Sequence, residues 1–280
     1  DQIGPIGKNV KDCAALFEII AGHDSKDSTS ADVPVESYDS LVSGGLSGMR
    51  IGIPKEYLAE GCDEEVKKAL ADTVHTLSKN GAVVEFFSLG MVDYVIPAYY
   101  IIACAEASSN LERFDGVKYG YRTPGATELH EMYKKSRAEG FGEEVKRRIL
   151  LGSFVLSAGY YDAYYLRAMK VRTLVKQDFD NALRTCDVLL TPTAPDTAFK
   201  IGQNDNNPLA MYLGDVCTVT LNLAGLPGIS IPCGFKNGLP IGMQLIGKAL
   251  DEETLLRVAY TFEQNRTDLK KPLPMGEVEL

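Results

Sequence analysis

Three stretches of this sequence set charged or hydroxylated side chains among apolar ones, and binding chemistry is sought there first. The first is Tyr99-Tyr100 followed by Glu106-Ala107-Ser108-Ser109-Asn110. The second is Glu139-Gly140-Phe141-Gly142 leading to Lys146-Arg147-Arg148-Ile149. The third is Asp215, just before Asn222-Leu223-Ala224-Gly225-Leu226-Pro227-Gly228 and the run Ile229 to Pro232. In the third, the glycines allow close backbone approach and Pro227 stiffens the turn. Each stretch has a structural reading as well: Arg147 and Arg148 as a solvated helix face, Asp215 as the cap of a short helix, Tyr99 as a core aromatic.

Groups that break bonds are harder to find. The three histidines are His23, His75 and His130. His130 precedes Glu131, but no second His follows at the spacing a zinc-binding helix needs, so all three are expected at the surface. Neither G-x-S-x-G nor S-x-x-K occurs, which removes two common settings for a nucleophilic serine. Ser43-Gly44-Gly45-Leu46-Ser47-Gly48 leads into a strand rather than a helix, the wrong context for a phosphate loop. The six cysteines, Cys13, Cys62, Cys104, Cys186, Cys217 and Cys233, are irregularly spaced and form no C-x-x-C. They read as buried or partly buried thiols in a reducing cytosol.

The elements that must position these residues follow from periodicity. Val10 to Ala21 has helical spacing, with Gly22 as its stop. Asp24 to Ser47 is rich in Ser, Asp, Pro and Gly and reads as a surface connection. Arg50 to Pro54 is a short buried strand. Asp63 caps an amphipathic helix to Asn80 with the stripe Val66, Leu70, Val74 and Leu77, and Val83 to Phe87 is the next strand. Strand, helix, strand with short connections predicts a parallel pair in an α/β arrangement. Helices are expected over Asp93 to Phe114, Glu128 to Ala138, Glu143 to Leu151 and Tyr160 to Leu183. Val188 to Thr191 is a strand stopped by Pro192, followed by a Pro-rich loop to about Pro208. Ile229 to Pro232 and Ile241 to Ile246 flank Lys236-Asn237-Gly238 as a hairpin. Glu252 to Asn265 closes the helical set, and the tail beyond Arg266 is expected to be loose.

Bulk properties bound the partners. Hydrophobic residues make up 45% and charged residues 24% of the 280, ordinary for a soluble globular protein of one large domain or two small ones. The net charge of -9 argues against direct nonspecific nucleic-acid binding, which needs a basic footprint. No apolar run is long enough to span a bilayer, and no signal peptide is expected.

The order of several segments resembles the amidase-signature family. They are Asp1-Gln2-Ile3-Gly4-Pro5, Glu139-Gly140-Phe141-Gly142, Gly159-Tyr160-Tyr161-Asp162-Ala163-Tyr164-Tyr165, Leu190-Thr191-Pro192-Thr193-Ala194-Pro195, Asn222 to Gly228, and Pro240-Ile241-Gly242-Met243-Gln244-Leu245. Asn222 to Gly228 and Pro240 to Leu245 are shared across the family. Glu139 to Gly142 and Tyr160 to Tyr165 point more narrowly to its tRNA-dependent amidotransferase branch. The resemblance covers essentially the whole chain. It implies an α/β fold with a mixed central β-sheet covered by helices on both faces, with residues 1–280 forming the C-terminal part of a single domain.

The family hydrolyses amides with a Ser, cis-Ser, Lys triad, through nucleophilic attack and a backbone oxyanion hole. Its Gly/Ser-rich signature would end near Asp1 to Gly7, a turn-rich run that is an odd place for a domain to start. No residue of the triad is carried over, and the chain by itself is expected to be inactive. The substrate side does carry over. Free glutamine bears an α-carboxylate and an α-ammonium, so a specific pocket needs a cation and an anion. By resemblance Arg148 holds the carboxylate, Asp215 the ammonium, and the Tyr99 hydroxyl adds a hydrogen bond. Adjacent helical positions point about 100° apart, so only one of Arg147 and Arg148 can face a pocket.

The resemblance further implies two other subunits in a cytoplasmic heterotrimer. ATP and magnesium are handled by a partner subunit, which also makes most contacts to the misacylated tRNA. This chain itself is expected to bind no cofactor, metal or membrane. The alternatives are a general amidase of the same family, which the charge pair argues against, and a non-catalytic module that holds an amino acid or docks a partner.

Overall fold

The structure is a computed structural model that describes residues 3–35, 37–38, 45–59, 61–203, 211 and 214–269. The chain forms two compact units, one of Asp1–Gly90 with Gln177–Leu280, the other of Met91–Lys176. Of the Pro-rich loop expected up to about Pro208, residues 204–208 lie outside the described residues, and of the tail expected beyond Arg266 only Thr267–Leu269, a 3₁₀ turn, is described.

The first unit is built on a five-stranded sheet. Its strands are β1 (Arg50–Pro54), β2 (Val83–Phe87), β3 (Val188–Pro192), β4 (Gly228–Lys236) and β5 (Leu239–Ile246), in the order β2-β1-β3-β5-β4. β1 runs parallel to β2 and to β3, whereas β5 is antiparallel to both β3 and β4. The sheet is therefore mixed, and α2 (Glu64–Lys79) provides the crossover between β1 and β2 that gives the predicted parallel pair. α2 begins where expected, because the Asp63 carboxylate accepts from the Glu65 N–H, satisfying one of the orphan donors of a helix start.

Alternation along the strands sends Ile51, Ile53, Val188, Leu190, Ile231, Cys233, Met243 and Leu245 to one face. There they pack with α1 (Val10–Ile20), α2 and a C-terminal helix that spans Glu252–Asn265, through Val10, Ala14, Val66, Leu70, Leu77, Leu255, Val258 and Phe262. The opposite face carries Leu189, Thr191, Gln244 and Ser230 in register.

Several element limits differ from those expected, three of them in the first unit. β3 continues through Pro192, which pairs with Met243. The Thr193 N–H donates to Gly242 O, so the Pro192 nitrogen faces the other side, and β1 pairs with β3 only as far as Leu189. No ladder bond is asked of the missing N–H. β4 and β5 are longer than their apolar runs, leaving a two-residue turn at Asn237 (φ 52°) and Gly238 (φ 82°), the geometry a tight hairpin favours. Finally, α1 ends on an extended Ala21, with Gly22 taking the positive φ one residue later.

The second unit is helical. α3 (Val92–Leu111), α4 (Leu129–Gly140) and α5 (Glu143–Val155) are followed by a π-helical turn at Tyr161–Tyr165 that leads into α6 (Leu166–Thr185). The single helix expected from Tyr160 thus opens with a wider turn, where Tyr161 stacks near Tyr165 and Tyr160 near Tyr164. α3 and α5 pack closely because Gly152 presents no Cβ. One added there would sit 2.5 Å from Ser108 Cβ and well inside contact distance of the Cys104 carbonyl.

All six cysteines are free thiols. Cys217 and Cys233 are 1% and 0% exposed, and burial pushes both up to about 12. Cys13 and Cys62 are only half-buried. Native protein treated with iodoacetamide near pH 8 should therefore be alkylated first at Cys13 and Cys62, with Cys217 and Cys233 protected until unfolding, since the thiolate is the reacting form. Peptide mass spectrometry checks this, and early modification of Cys217 or Cys233 would contradict the packing described. No helix among the described residues is long and apolar enough to cross a membrane.

Candidate functional site

Within the second unit the helix pair α3–α5 sets Arg148 against Tyr100, the chain neighbour of Tyr99. Tyr99 and Tyr100 lie on α3 with their rings edge to face at 5.2 Å. Arg148, on α5, sets its guanidinium over the Tyr100 ring at 5.8 Å, within the range of a cation–π contact. The order across the helices is thus Tyr99, Tyr100, Arg148. The Ser108 and Ser153 hydroxyls, 3.0 Å apart, add a polar tie between the same helices.

The structure also separates Arg148 from its neighbour. The Arg148 side chain is 38% exposed and that of Arg147 53%, so the residue turned toward α3 is Arg148. Both contact the Glu144 carboxylate one helical turn earlier, and the Arg148 Nε donates to Oε1 at 3.0 Å. Partial burial works against the Arg148 charge, but the Glu144 bond and charge outweigh it and hold the guanidinium above its ordinary value. Cys104 lies close by in α3. Burial raises its thiol and the Arg148 charge partly offsets that. The arrangement is a permanently charged, fork-shaped donor braced by an aromatic face and a carboxylate, suited to gripping a planar anion.

Asp215 belongs to the first unit and is exposed. Its carbonyl accepts from the N–H groups of Thr218 and Val219, closing a turn that leads into α7 (Val219–Ala224). The cap position of this helix is Thr218, without a side-chain cap bond, so the structural reading of Asp215 as the cap does not describe it: Asp215 stands three residues earlier, and the helix stops at Gly225 in a left-handed conformation. Below the turn lie buried polar contacts. The Tyr57 hydroxyl meets Thr220 Oγ1 at 2.7 Å. Gln244 Nε2 donates to the Cys217 carbonyl at 2.9 Å and to Thr191 Oγ1 at 3.1 Å. Burial drives the Tyr57 phenol far above its ordinary range, with the Thr220 bond pulling weakly the other way.

Two contributors were not picked out from sequence. Glu144 could have been, because it stands three and four residues before Arg147 and Arg148 at the spacing of helical ion pairs. Gln244 could not, since nothing in a strand pattern says that its amide reaches a distant carbonyl. His23, His75 and His130 are exposed, and among the described residues no cluster of His, Cys, Asp and Glu is arranged to hold a metal.

Residues 1–256 match the family model described as Amidase. Two curated relatives are each described as a subunit of glutamyl-tRNA(Gln) amidotransferase. The one from Agathobacter rectalis is 60% identical over 97% of this chain and 54% of its own length. The one from Listeria monocytogenes is 55% identical over 95% of this chain and 55% of its own. A solved structure from Thermotoga maritima, described in the same terms, superposes with a TM-score of 0.75 at 40% identity, covering 94% of this chain and 52% of that one. A bacterial aryl acylamidase of the amidase signature family superposes with a TM-score of 0.73 at 22% identity over 96% and 55%, a likeness of fold alone. The chain spans about half the length of the curated relatives it matches.

Proposed function

Since the chain belongs to the amidase family, we propose that it is the glutamine-holding part of a tRNA-dependent amidotransferase. The observation that carries this reading is the 60% identity, over 97% of the chain, to a relative described as a subunit of glutamyl-tRNA(Gln) amidotransferase. The longer protein hydrolyses glutamine to glutamate and ammonia. The ammonia then passes to a partner subunit, where ATP and magnesium activate the side chain of Glu on misacylated tRNA(Gln). Bond-breaking falls to a Ser, cis-Ser, Lys triad supplied outside these residues, so no residue of this chain is assigned a catalytic role. The working assembly is a cytoplasmic heterotrimer, and the tRNA is contacted mainly through the partner.

On this reading Arg148 takes the α-carboxylate of glutamine, Asp215 takes the α-ammonium, and the Tyr99 hydroxyl adds a hydrogen bond. The way Tyr100 and Glu144 hold the Arg148 guanidinium in place supports its role, because a braced fork gives up little freedom when it grips a planar anion. A neutral amide has nothing for either charge to hold.

Substrate discrimination tests the proposal. The longer protein should release ammonia from glutamine about 100-fold more efficiently than from propionamide, because a site built around charged groups leaves them unpaired when the substrate lacks their partners. Equal kcat/KM for the two amides would mean a general amidase and would end the amidotransferase reading.

A further inference from the structure

We infer that Gln244 is a positioning residue for Asp215, an inference that rests on the proposed function above. Gln244 sits in the middle of β5, 5% exposed, paired across the sheet with Thr191 and Ser230. Its neighbours Met243 and Leu245 enter the core from the other face. The sheet does not itself call for an amide at this position. A buried amide costs free energy unless it is bonded, and an apolar side chain would serve the strand as well. What the amide adds is a reach out of the sheet, because Nε2 donates to the Cys217 carbonyl at 2.9 Å while Thr191 Oγ1 steadies it at 3.1 Å.

Cys217 lies inside the turn that Asp215 closes onto Thr218 and Val219. The turn is held at a second point, one residue into α7, by the Tyr57–Thr220 hydroxyl contact. Tyr57 and Thr220 are themselves 4% and 1% exposed. Asp215 is exposed, yet the backbone that carries it is fastened from below at two buried points. A carboxylate that must meet an ammonium gains from such fastening, since a displacement of about 1 Å is enough to spoil a charge-assisted contact.

The test compares two substrates in the full-length enzyme. Glutaramate keeps the amide and the carboxylate of glutamine and lacks the ammonium. The ratio of kcat/KM for glutamine to that for glutaramate reads the Asp215 contact and does not depend on how much of a variant is folded. Asp215→Asn should lower this ratio about tenfold, and Gln244→Met should lower it in the same direction through a higher KM for glutamine, by about fivefold. Gln244→Asn, too short to reach both acceptors, carries the same comparison if the Met variant fails to fold. A ratio unchanged in the Gln244 variants but lowered by Asp215→Asn would overturn the positioning role and leave the function standing. A ratio unchanged in all of them would overturn the placement of Asp215 and this inference with it.

Discussion

Replacing Arg148 by Ala in the full-length enzyme should cut kcat/KM for glutamine by about 30-fold, on the order of 2 kcal/mol of transition-state binding. The effect sits at the lower end for a charged pair because the Arg148 side chain is 38% exposed and already shares the Glu144 carboxylate, so solvent screens part of its charge. Loss should appear mainly in KM, because on the proposed function Arg148 grips the carboxylate equally in the ground and transition states. Two comparisons give the experiment its edge. γ-Aminobutyramide lacks the carboxylate and should be hydrolysed as well by the Arg148→Ala protein as by the parent. Arg147→Ala should shift glutamine kinetics by less than about twofold, since it removes only an exposed ion pair. A drop below about threefold for Arg148→Ala, or an equal loss on both substrates, would remove Arg148 from the binding site.

Gly152→Ala should be the most damaging single methyl group that can be added to the second unit. The new Cβ would sit 2.5 Å from Ser108 Cβ and 2.7 Å from the Cys104 carbonyl carbon, with the carbonyl oxygen nearer still. A helix backbone cannot swing aside as a side chain can, so α3 and α5 must move apart and give up their packing. Overpacking of this kind costs about 3 kcal/mol. The same shift would pull Arg148 away from Tyr100, and on the proposed function it should also blunt glutamine binding in whatever fraction stays folded. Gly159→Ala is the matched control, since a Cβ there meets nothing within 4 Å, and its stability should stay within about 0.5 kcal/mol of the parent. Urea unfolding, with hydrogen exchange read along α3 and α5, measures both. Unchanged stability of Gly152→Ala would mean that the two helices do not approach as closely as described.

Much of the fold was legible because its signals are local. Asp63 followed by the Val66, Leu70, Val74 and Leu77 stripe fixes α2; Val66, Leu70 and Leu77 are buried, and Val74 packs against the core partly buried. The short runs at Arg50 and Val83 pair in parallel, as a strand–helix–strand order requires. Asn237-Gly238 marks a hairpin because both positions must take positive φ. The separation of Arg147 from Arg148 was half legible: helical geometry says that the two diverge, whereas the direction of α3 decides which one turns inward.

The rest depended on distances that no local pattern encodes. Pro192 looked like a stop, yet it continues β3 because its nitrogen faces a side where β1 has already ended. The width of the turn at Tyr161–Tyr165 and the closeness of α3 to α5 are set by what each helix meets. Gly152 could equally have been a flexible point until the Cys104 carbonyl was found beside it. Gln244 is the clearest case. Alternation along β5 puts it opposite the core, but only the folded chain brings the Cys217 carbonyl within reach, through backbone that is distant in sequence. Periodicity and capping are short-range consequences of side-chain shape and hydrogen bonding, so the sequence by itself determined the elements and their order. Which groups meet across those elements depends on how the helices and sheet pack, and there only the tertiary structure could decide.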